Sequence, residues 1–237
     1  MTDEYCKSSE LSKEEQRLCY KFASDFYDMI ADLEKKDYLR SELKSEQGEE
    51  ERMKFMDVLW NVRKATHAFN MFFDMFVDKI KADSKQRLKK FIELNKPYGL
   101  TEDDLRYLLF SEMIFVFLQY VEEFRSALLF IMKLDKDKHL NKETTLGTLL
   151  WRLQDIGINK SDTLTDIDCE LRNGLSHGLF WFDEKGDQEH SEPHLHYSED
   201  ITFRNISWIS ITDLYHKTRR QSICTNCLLN VIGDWFR

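Results

Sequence analysis

The feature that most constrains the fold is an apolar stripe between residues 102 and 134. Its side chains recur every three or four residues, which places them on one face of an α-helix. The members of the stripe are Leu109, Met113, Val116, Tyr120, Phe124, Leu128 and Ile131. Thr101, followed by three acidic residues, is typical of a helix start. We therefore expect one long helix from about Glu102 to Leu134, and the charged residues within it exclude a transmembrane span.

Few residues interrupt helices in the rest of the chain, which has 2 Pro and 8 Gly among 237 residues. The further helices that the same kind of spacing predicts cover residues 8–47, 52–95, 144–154 and 210–235. We expect a break at Gly48, and Lys96–Gly99 is the best internal boundary, because proline and glycine both punctuate helices. The sequence therefore predicts a helical extension at residues 1–96 and a helical domain at 97–237, or one continuous domain.

Charge and cysteine content limit the classes of partner and compartment. A net charge of -9 argues against broad, non-specific binding to nucleic acid, although a small basic cleft is compatible with it. The first residues carry neither a basic region nor an apolar run, so no signal peptide is expected. The chain has five cysteines, an odd number, and their spacing does not match a disulfide framework, so we expect reduced thiols. These observations predict a cytoplasmic protein that is not bound to a membrane.

The segment Glu170–Gly178 combines a permanent cation, an amide and a group that titrates near neutrality with little side-chain bulk. Its sequence is Glu-Leu-Arg-Asn-Gly-Leu-Ser-His-Gly. A helix start at Thr163–Asp166 and the closing glycine of the segment place it on a helix. After it, Leu179–Phe182 reads as a short strand followed by an acidic turn. A return strand is expected near His196 or Ile201, which would complete a small hairpin.

On a helix, Asn173 and His177 share a face, and Arg172 lies about 100° away around the axis. Histidine is the usual general acid or base near neutral pH, and arginine offers donors suited to phosphate. Cleavage of RNA without a metal requires a base, an acid and a cation beside the phosphorane. Since one chain supplies one histidine here, two copies across a two-fold axis would supply both acid and base, which favours a homodimer.

The run Arg172–His177 resembles the motif of ribonucleases with a HEPN domain (higher eukaryotes and prokaryotes nucleotide-binding). Those proteins carry an arginine, four to six residues and then a histidine, often as Arg-Asn-x-x-x-His. The aromatic strand and Asp/Gly turn after the histidine, and the closing helix, also look similar. So do the helix containing Tyr120–Arg125 and the segment Thr145–Gly147. The resemblance covers roughly residues 100–237.

The resemblance implies an all-α antiparallel bundle with a small β-hairpin insertion, dimerised with its motifs facing each other. It further implies metal-independent RNA cleavage without a cofactor, commonly in toxin-antitoxin or antiphage systems, with an antitoxin protein as a partner. By analogy His177 is the acid/base, Arg172 binds the scissile phosphate, and Asn173 orients groups or stabilises the motif. Glu170 would pair with an arginine. Leu179 stands where a subset of these toxins has a tyrosine that a nucleotidyltransferase antitoxin modifies, which argues against that mode of neutralisation.

Simpler interpretations of the motif stay open. Arg172 could form an ion pair and His177 could cap its helix, since such arrangements are common on helices. The same fold could also hold a nucleotide, RNA or protein partner without cutting it. A purely helical scaffold is a third interpretation.

Two other clusters contain residue types that can bind metals, but their spacing does not favour a metal site. Cys224 and Cys227 lie within the last helix and have no second pair, so core cysteines are favoured over a zinc site. A second set of candidate ligands comprises Glu189, His190, Glu192, His194 and His196. Pro193 breaks any helical register among them, so we expect a solvated loop and predict no metal.

Overall fold

A computed structural model of the chain describes residues 1–63, 99, 101–158, 167–183 and 194–237. Over these residues the protein is mostly helical, with a small three-stranded antiparallel sheet. The predicted helical character is confirmed, and the predicted hairpin gains a third strand. The antiparallel bundle of HEPN type stays a prediction. Within the described part of the chain, no helix is both long enough and apolar enough to cross a membrane.

The elements are numbered in chain order. The helices are α1 (Thr2–Cys6), α2 (Lys13–Lys35), α3 (described over residues 46–63), α4 (Glu102–Ile131), α5 (Leu146–Asp155), α6 (Cys169–Ser176) and α7 (Ile211–Trp235). The strands are β1 (Phe180–Asp183), β2 (His194–Ser198) and β3 (Ile206–Ser210). Short 3-10 turns cover Ser41–Lys44 and Leu134–Lys136.

The helix predicted over residues 8–47 is wrong in its bounds, because Ser12 caps a new helix start. The Ser12 hydroxyl accepts a hydrogen bond from the Glu15 backbone N–H at 3.2 Å, and the Glu15 carboxylate accepts one from the Ser12 N–H at 2.7 Å. This reciprocal pair satisfies two backbone donors at the start of α2. The helix then buries an apolar face that includes Phe22, Phe26, Met29, Ile30 and Leu33.

The break predicted at Gly48 is also wrong, since α3 starts at residue 46 and continues through this glycine. A Cβ atom at Gly48 would overlap the backbone of Glu42 and Leu43. The Ser45 hydroxyl accepts a hydrogen bond from the Gly48 N–H at 3.1 Å, as a capping residue does. The glycine therefore permits the helix to pack closely on the preceding 3-10 turn.

The long helix α4 starts where the sequence predicts and ends three residues earlier. The Asp104 N–H donates to the Thr101 hydroxyl at 3.1 Å, and the Thr101 N–H donates to the Asp104 carboxylate at 2.8 Å, which confirms the cap. At the other end the chain leaves the helix after Ile131, because the Lys133 N–H donates to the Tyr38 carbonyl at 2.7 Å.

Some predictions fall outside the described residues. They include most of the helix predicted over residues 52–95, beyond residue 63, and the helix start at Thr163–Asp166. Residues 96–98 of the proposed boundary also lie outside the described residues. The division into an extension at 1–96 and a domain at 97–237 therefore stays a prediction.

The chain forms two compact units, each assembled from segments that are distant in sequence. Unit 1 comprises Met1–Leu59, Gln119–Cys169 and Arg219–Arg237. Unit 2 comprises Trp60–Leu118 and Glu170–Thr218. The segment Glu170–Gly178, singled out by the sequence, thus belongs entirely to unit 2.

The core of unit 1 is rich in aromatic side chains. The rings of Phe26 and Phe124 are 5.9 Å apart between centroids, and both side chains are fully buried. Leu149 and Leu153 of α5 and Leu228 of α7 are equally inaccessible. Burying each such side chain contributes about 1.5–3 kcal/mol, so this core is a main source of stability for unit 1.

Cys6 and Cys19 form a disulfide bond, so the prediction of five reduced cysteines is wrong for this pair. The turn between α1 and α2 brings their Cα atoms to 5.4 Å, a distance suited to a bridge. The Cys227 thiol donates to the Cys19 carbonyl at 3.4 Å, and burial raises the pKa of this thiol to about 12. Cys224 and Cys227 are both buried, as predicted for core cysteines.

The sheet of unit 2 has the strand order β1-β2-β3, with both pairings antiparallel. Phe182 of β1 is paired with Leu195 of β2. The Phe182 ring lies 5.0 Å from the ring of Tyr107 and 4.8 Å from that of Phe110, both on α4. The face of the sheet that carries Phe182 therefore packs against a helix, and alternate residues point to the other face.

We expect a reductant to lower the urea midpoint of unfolding of the wild-type protein. The bridge joins cysteines 13 residues apart, and closing such a loop stabilises the folded state by about 3 kcal/mol through the entropy of the unfolded chain. Unfolding would be followed by far-UV circular dichroism with and without the reductant. The double variant Cys6→Ala/Cys19→Ala should be insensitive to it, and Cys169→Ala should respond like the wild type. A wild-type midpoint that the reductant leaves unchanged would contradict this contribution.

Candidate active site

The site residues predicted from the sequence lie on α6 and the residue after it. Arg172 and Asn173 are half-buried in the helix, and His177 follows its last residue and is exposed. Leu171 and Leu175, one turn apart, are buried and fix the inward face of the helix. The local sequence therefore places polar groups at the surface of unit 2 on a short, firmly packed helix.

Asn173 links the site residues to one another. Its side-chain oxygen accepts a hydrogen bond from Nη1 of Arg172 at 3.1 Å. Its backbone carbonyl accepts one from the Ser176 hydroxyl at 3.2 Å and one from the His177 N–H at 3.1 Å. The side-chain contact helps to orient the guanidinium of Arg172.

A Schellman turn holds His177 at the end of α6. The Leu179 N–H donates to the Gly174 carbonyl at 2.9 Å, and the Gly178 N–H donates to the Leu175 carbonyl at 3.3 Å. Gly178 has a φ of 68°, in the left-handed region that favours glycine. Gly178 is thus confirmed as the helix terminator, and the backbone rather than the imidazole fixes the position of residue 177.

Gly174 lets α6 approach β2 closely. A Cβ atom there would lie 3.0 Å from the Ser198 carbonyl oxygen and 3.1 Å from two carbon atoms of the Tyr197 side chain. The Ser198 N–H also donates to the Leu179 carbonyl at 3.0 Å, which joins the segment after the helix to the same strand. The low side-chain bulk of the motif therefore serves the packing of its helix on the sheet.

Glu170 is exposed in the first turn of α6, where an acidic side chain favours the helix dipole. Its pairing with an arginine stays a prediction. So does the second half of the composite site, which would come from another copy of the chain.

His194 and His196 lie on the return strand that the sequence predicts near His196, so the other expectation, a solvated loop, is wrong for these two histidines. His194 and His196 belong to β2, and Asp183 of β1 is the strand partner of His194. Nε2 of His194 is 3.9 Å from Oδ2 of Asp183, and Nε2 of His196 is 4.0 Å from the same oxygen. The sequence reasoning missed Asp183, although the His-x-His alternation signalled one shared strand face. Outside the described residues lie the remaining candidates, Glu189, His190 and Glu192.

A cleft of about 520 Å³ lies in unit 1, and both of its arginines contact nearby carboxylates. Arg40 contacts the carboxylates of Glu42 and Glu51, each at 2.8 Å. Nε of Arg125 donates to Glu122 at 2.7 Å. These contacts indicate that the two arginines belong to a structural ion-pair cluster.

Glu112 of α4, in unit 2, carries a carboxyl group whose pKa is shifted by burial. Its Oε2 atom is buried and makes no hydrogen bond to the described residues, and this burial raises the pKa of the carboxyl group. The sequence showed Glu112 only as an interruption of an apolar stretch. A perturbed carboxyl group is a feature of functional sites and also a cost to stability.

Comparison with known proteins gives no match, whether to a protein-family model, a curated protein or a solved structure. Function must therefore be argued from the chemistry of the site.

Replacing Gly178 by alanine should destabilise the protein by about 1–2 kcal/mol, because an L side chain is strained in the left-handed region. Gly147→Ala is the matched control, since Gly147 lies in the first turn of α5 and an added Cβ there meets nothing within 4 Å. That variant should be as stable as the wild type or more so. Urea unfolding measures both, and equal effects of the two changes would contradict the role given to the turn.

Glu112→Gln should raise the unfolding midpoint at pH 7. The raised pKa means that the folded state disfavours the ionised carboxylate, a cost present above the folded-state pKa. The advantage of the variant should shrink as the pH falls through that pKa, because the wild-type carboxyl group then binds a proton. Thermal unfolding across pH, with the exposed Glu143→Gln as control, tests this. A variant less stable than the wild type at pH 7 would refute it.

Proposed function

We propose that the chain is an endoribonuclease of HEPN type that acts as a homodimer, without a metal or other cofactor. The observation that carries the proposal is the arrangement on α6, where Asn173 orients the Arg172 guanidinium and a backbone turn presents an exposed His177. A role in a toxin-antitoxin or antiphage system, with an antitoxin as partner, follows from the family resemblance alone.

In the proposed reaction, one His177 imidazole removes the proton from a 2'-hydroxyl of the RNA. The freed oxygen attacks the adjacent phosphorus, and the bond from phosphorus to the 5'-oxygen breaks. The second histidine, in its protonated form, gives its proton to that leaving oxygen. Arg172 donates to the phosphate oxygens as negative charge accumulates on them. The products carry a 2',3'-cyclic phosphate and a 5'-hydroxyl.

The need for two histidines supports the homodimer. A single chain places one imidazole at the end of α6, and that imidazole is exposed. General acid and general base must act on opposite sides of the phosphorus atom, which one ring in a fixed position does not do at once. A two-fold axis beside α6 would bring two rings to one phosphate, and the closed pair would shield the site from water.

The overall charge of -9 favours a second candidate, a binding module that uses the same helix without cleaving RNA. A strongly acidic protein repels the phosphate backbone at long range, so contact with RNA has to come from a few local cations. In this alternative Arg172 holds a phosphate of a nucleotide or RNA, and His177 is a surface residue.

His177→Ala should lower the rate of RNA cleavage by at least about a hundredfold, the usual contribution of a general acid or base. Cleavage of a labelled RNA would be followed with a chelator present, so that metal-dependent nucleases do not contribute. His216→Ala is the matched control, because His216 is an exposed histidine on α7 of the same unit and should be dispensable. The product end should be a cyclic phosphate.

Equal cleavage by the wild type and His177→Ala would refute the ribonuclease proposal. If neither protein cuts any RNA offered, the binding module becomes the better description. In that case Arg172→Ala should weaken nucleotide or RNA binding at low salt, and binding that this change leaves intact would remove α6 as the site.

A further inference from the structure

One face of the sheet in unit 2 gathers three side chains that are common metal ligands. Asp183 lies on β1, and His194 and His196 lie two residues apart on β2, so the histidines share a face. Asp183 is paired with His194 in the strand register. Their nearest ligand atoms, one from each residue, all lie within 4.8 Å of one another.

The distances suit a metal ion with little rearrangement. Both histidines direct Nε2 at the same carboxylate oxygen of Asp183, at 3.9 and 4.0 Å. Around a tetrahedral ion with bonds of roughly 2.0–2.1 Å, neighbouring ligand atoms are roughly 3.3–3.5 Å apart. Closing these differences, together with a separation of at most 4.8 Å between the two histidine ligand atoms, requires side-chain rotations that move each ligand atom by about 1 Å.

This face is separate from the candidate active site. Tyr197, which packs on Gly174 of α6, alternates with His196 along β2 and therefore points to the opposite face. Phe182, which packs on α4, alternates in the same way with Asp183. Among the described elements, α4 and α6 thus pack on one side of the sheet, and the three ligands lie on the other.

Aromatic rings surround the three ligands. The Trp181 ring is stacked on His196 at 5.1 Å, and the Trp208 ring lies 5.5 Å from that of His194. His194 is buried with 1% of its side chain accessible, whereas His196 keeps 23% and Asp183 keeps 38%. The site is therefore shielded from solvent at His194 and open to solvent at Asp183. The aromatic rings restrain the two histidines.

We propose that Asp183, His194 and His196 bind a divalent transition-metal ion, with Zn²⁺ as the best-suited species. Two imidazoles and one carboxylate make a borderline ligand set that favours such ions over Mg²⁺ and Ca²⁺, which prefer all-oxygen sites. Three protein ligands leave a coordination position for water. By joining β1 to β2, the ion stabilises the sheet on which α6 packs. The proposal does not depend on the ribonuclease function.

The test is titration of the metal-free full-length protein with Zn²⁺, followed by calorimetry and by tryptophan fluorescence. We expect one ion per chain and a fluorescence change, because the Trp181 ring contacts a ligand. Asp183→Asn and His196→Gln remove ligands that are partly exposed, so both variants should fold, which circular dichroism checks. Each should bind at least about tenfold more weakly. His216→Gln is the matched control and should bind like the wild type.

Two results of the titration would overturn the site. One is an affinity for Zn²⁺ weaker than about 100 μM, because micromolar Zn²⁺ would then add almost nothing to the free energy of unfolding. The other is an affinity that neither variant changes, which would place the ion elsewhere on the chain. As a second readout, Zn²⁺ should raise the melting temperature of the wild type and of His216→Gln but not of Asp183→Asn. An equal rise in Asp183→Asn would also refute the proposal.

Discussion

The close packing of α6 on β2 at Gly174 is the contact on which the arrangement of unit 2 depends. A hydrogen atom fits between the helix and the strand there, and a methyl group would press on the Ser198 carbonyl and the Tyr197 ring. The helix can lie so near only while the strand keeps its register, because a slip of one residue would turn Tyr197 to the other face. The positions of Arg172 and His177 therefore depend on strand pairing, although neither residue lies in the sheet.

The features of the fold that the sequence predicts well are those with local signals. The cap at Thr101, the turn at Gly178 and the bounds of α7 follow from a few neighbouring residues. The failures concern contacts between distant segments. Gly48 resembles a helix break in the sequence, because the sequence does not show the 3-10 turn that packs against this glycine. The bridge between Cys6 and Cys19 cannot be inferred from an odd number of cysteines, because the approach of α1 to α2 is a property of the folded core.

The same distinction applies to the candidate sites. The spacing of Arg172 and His177 predicts one shared helix, and the structure bears this out only in part, because α6 contains Arg172 but ends at Ser176, one residue before His177. The spacing does not predict the bond from Arg172 to Asn173, since adjacent helical residues point in directions about 100° apart and only a long side chain can reach back. The approach of Asp183 to His194 is beyond local reasoning. It requires the register of two strands, which is set by the packing of their apolar face.

The turn that closes α6 is made of backbone atoms and of the missing side chain of Gly178, and the imidazole of His177 takes no part in its two hydrogen bonds. Any residue that accepts helical backbone angles would end the helix equally well. Folding thus leaves the side chain at position 177 unspecified. A lineage could exchange histidine there for another residue and lose or alter a reaction without loss of the fold, so scaffold and chemistry can diverge separately at this helix end.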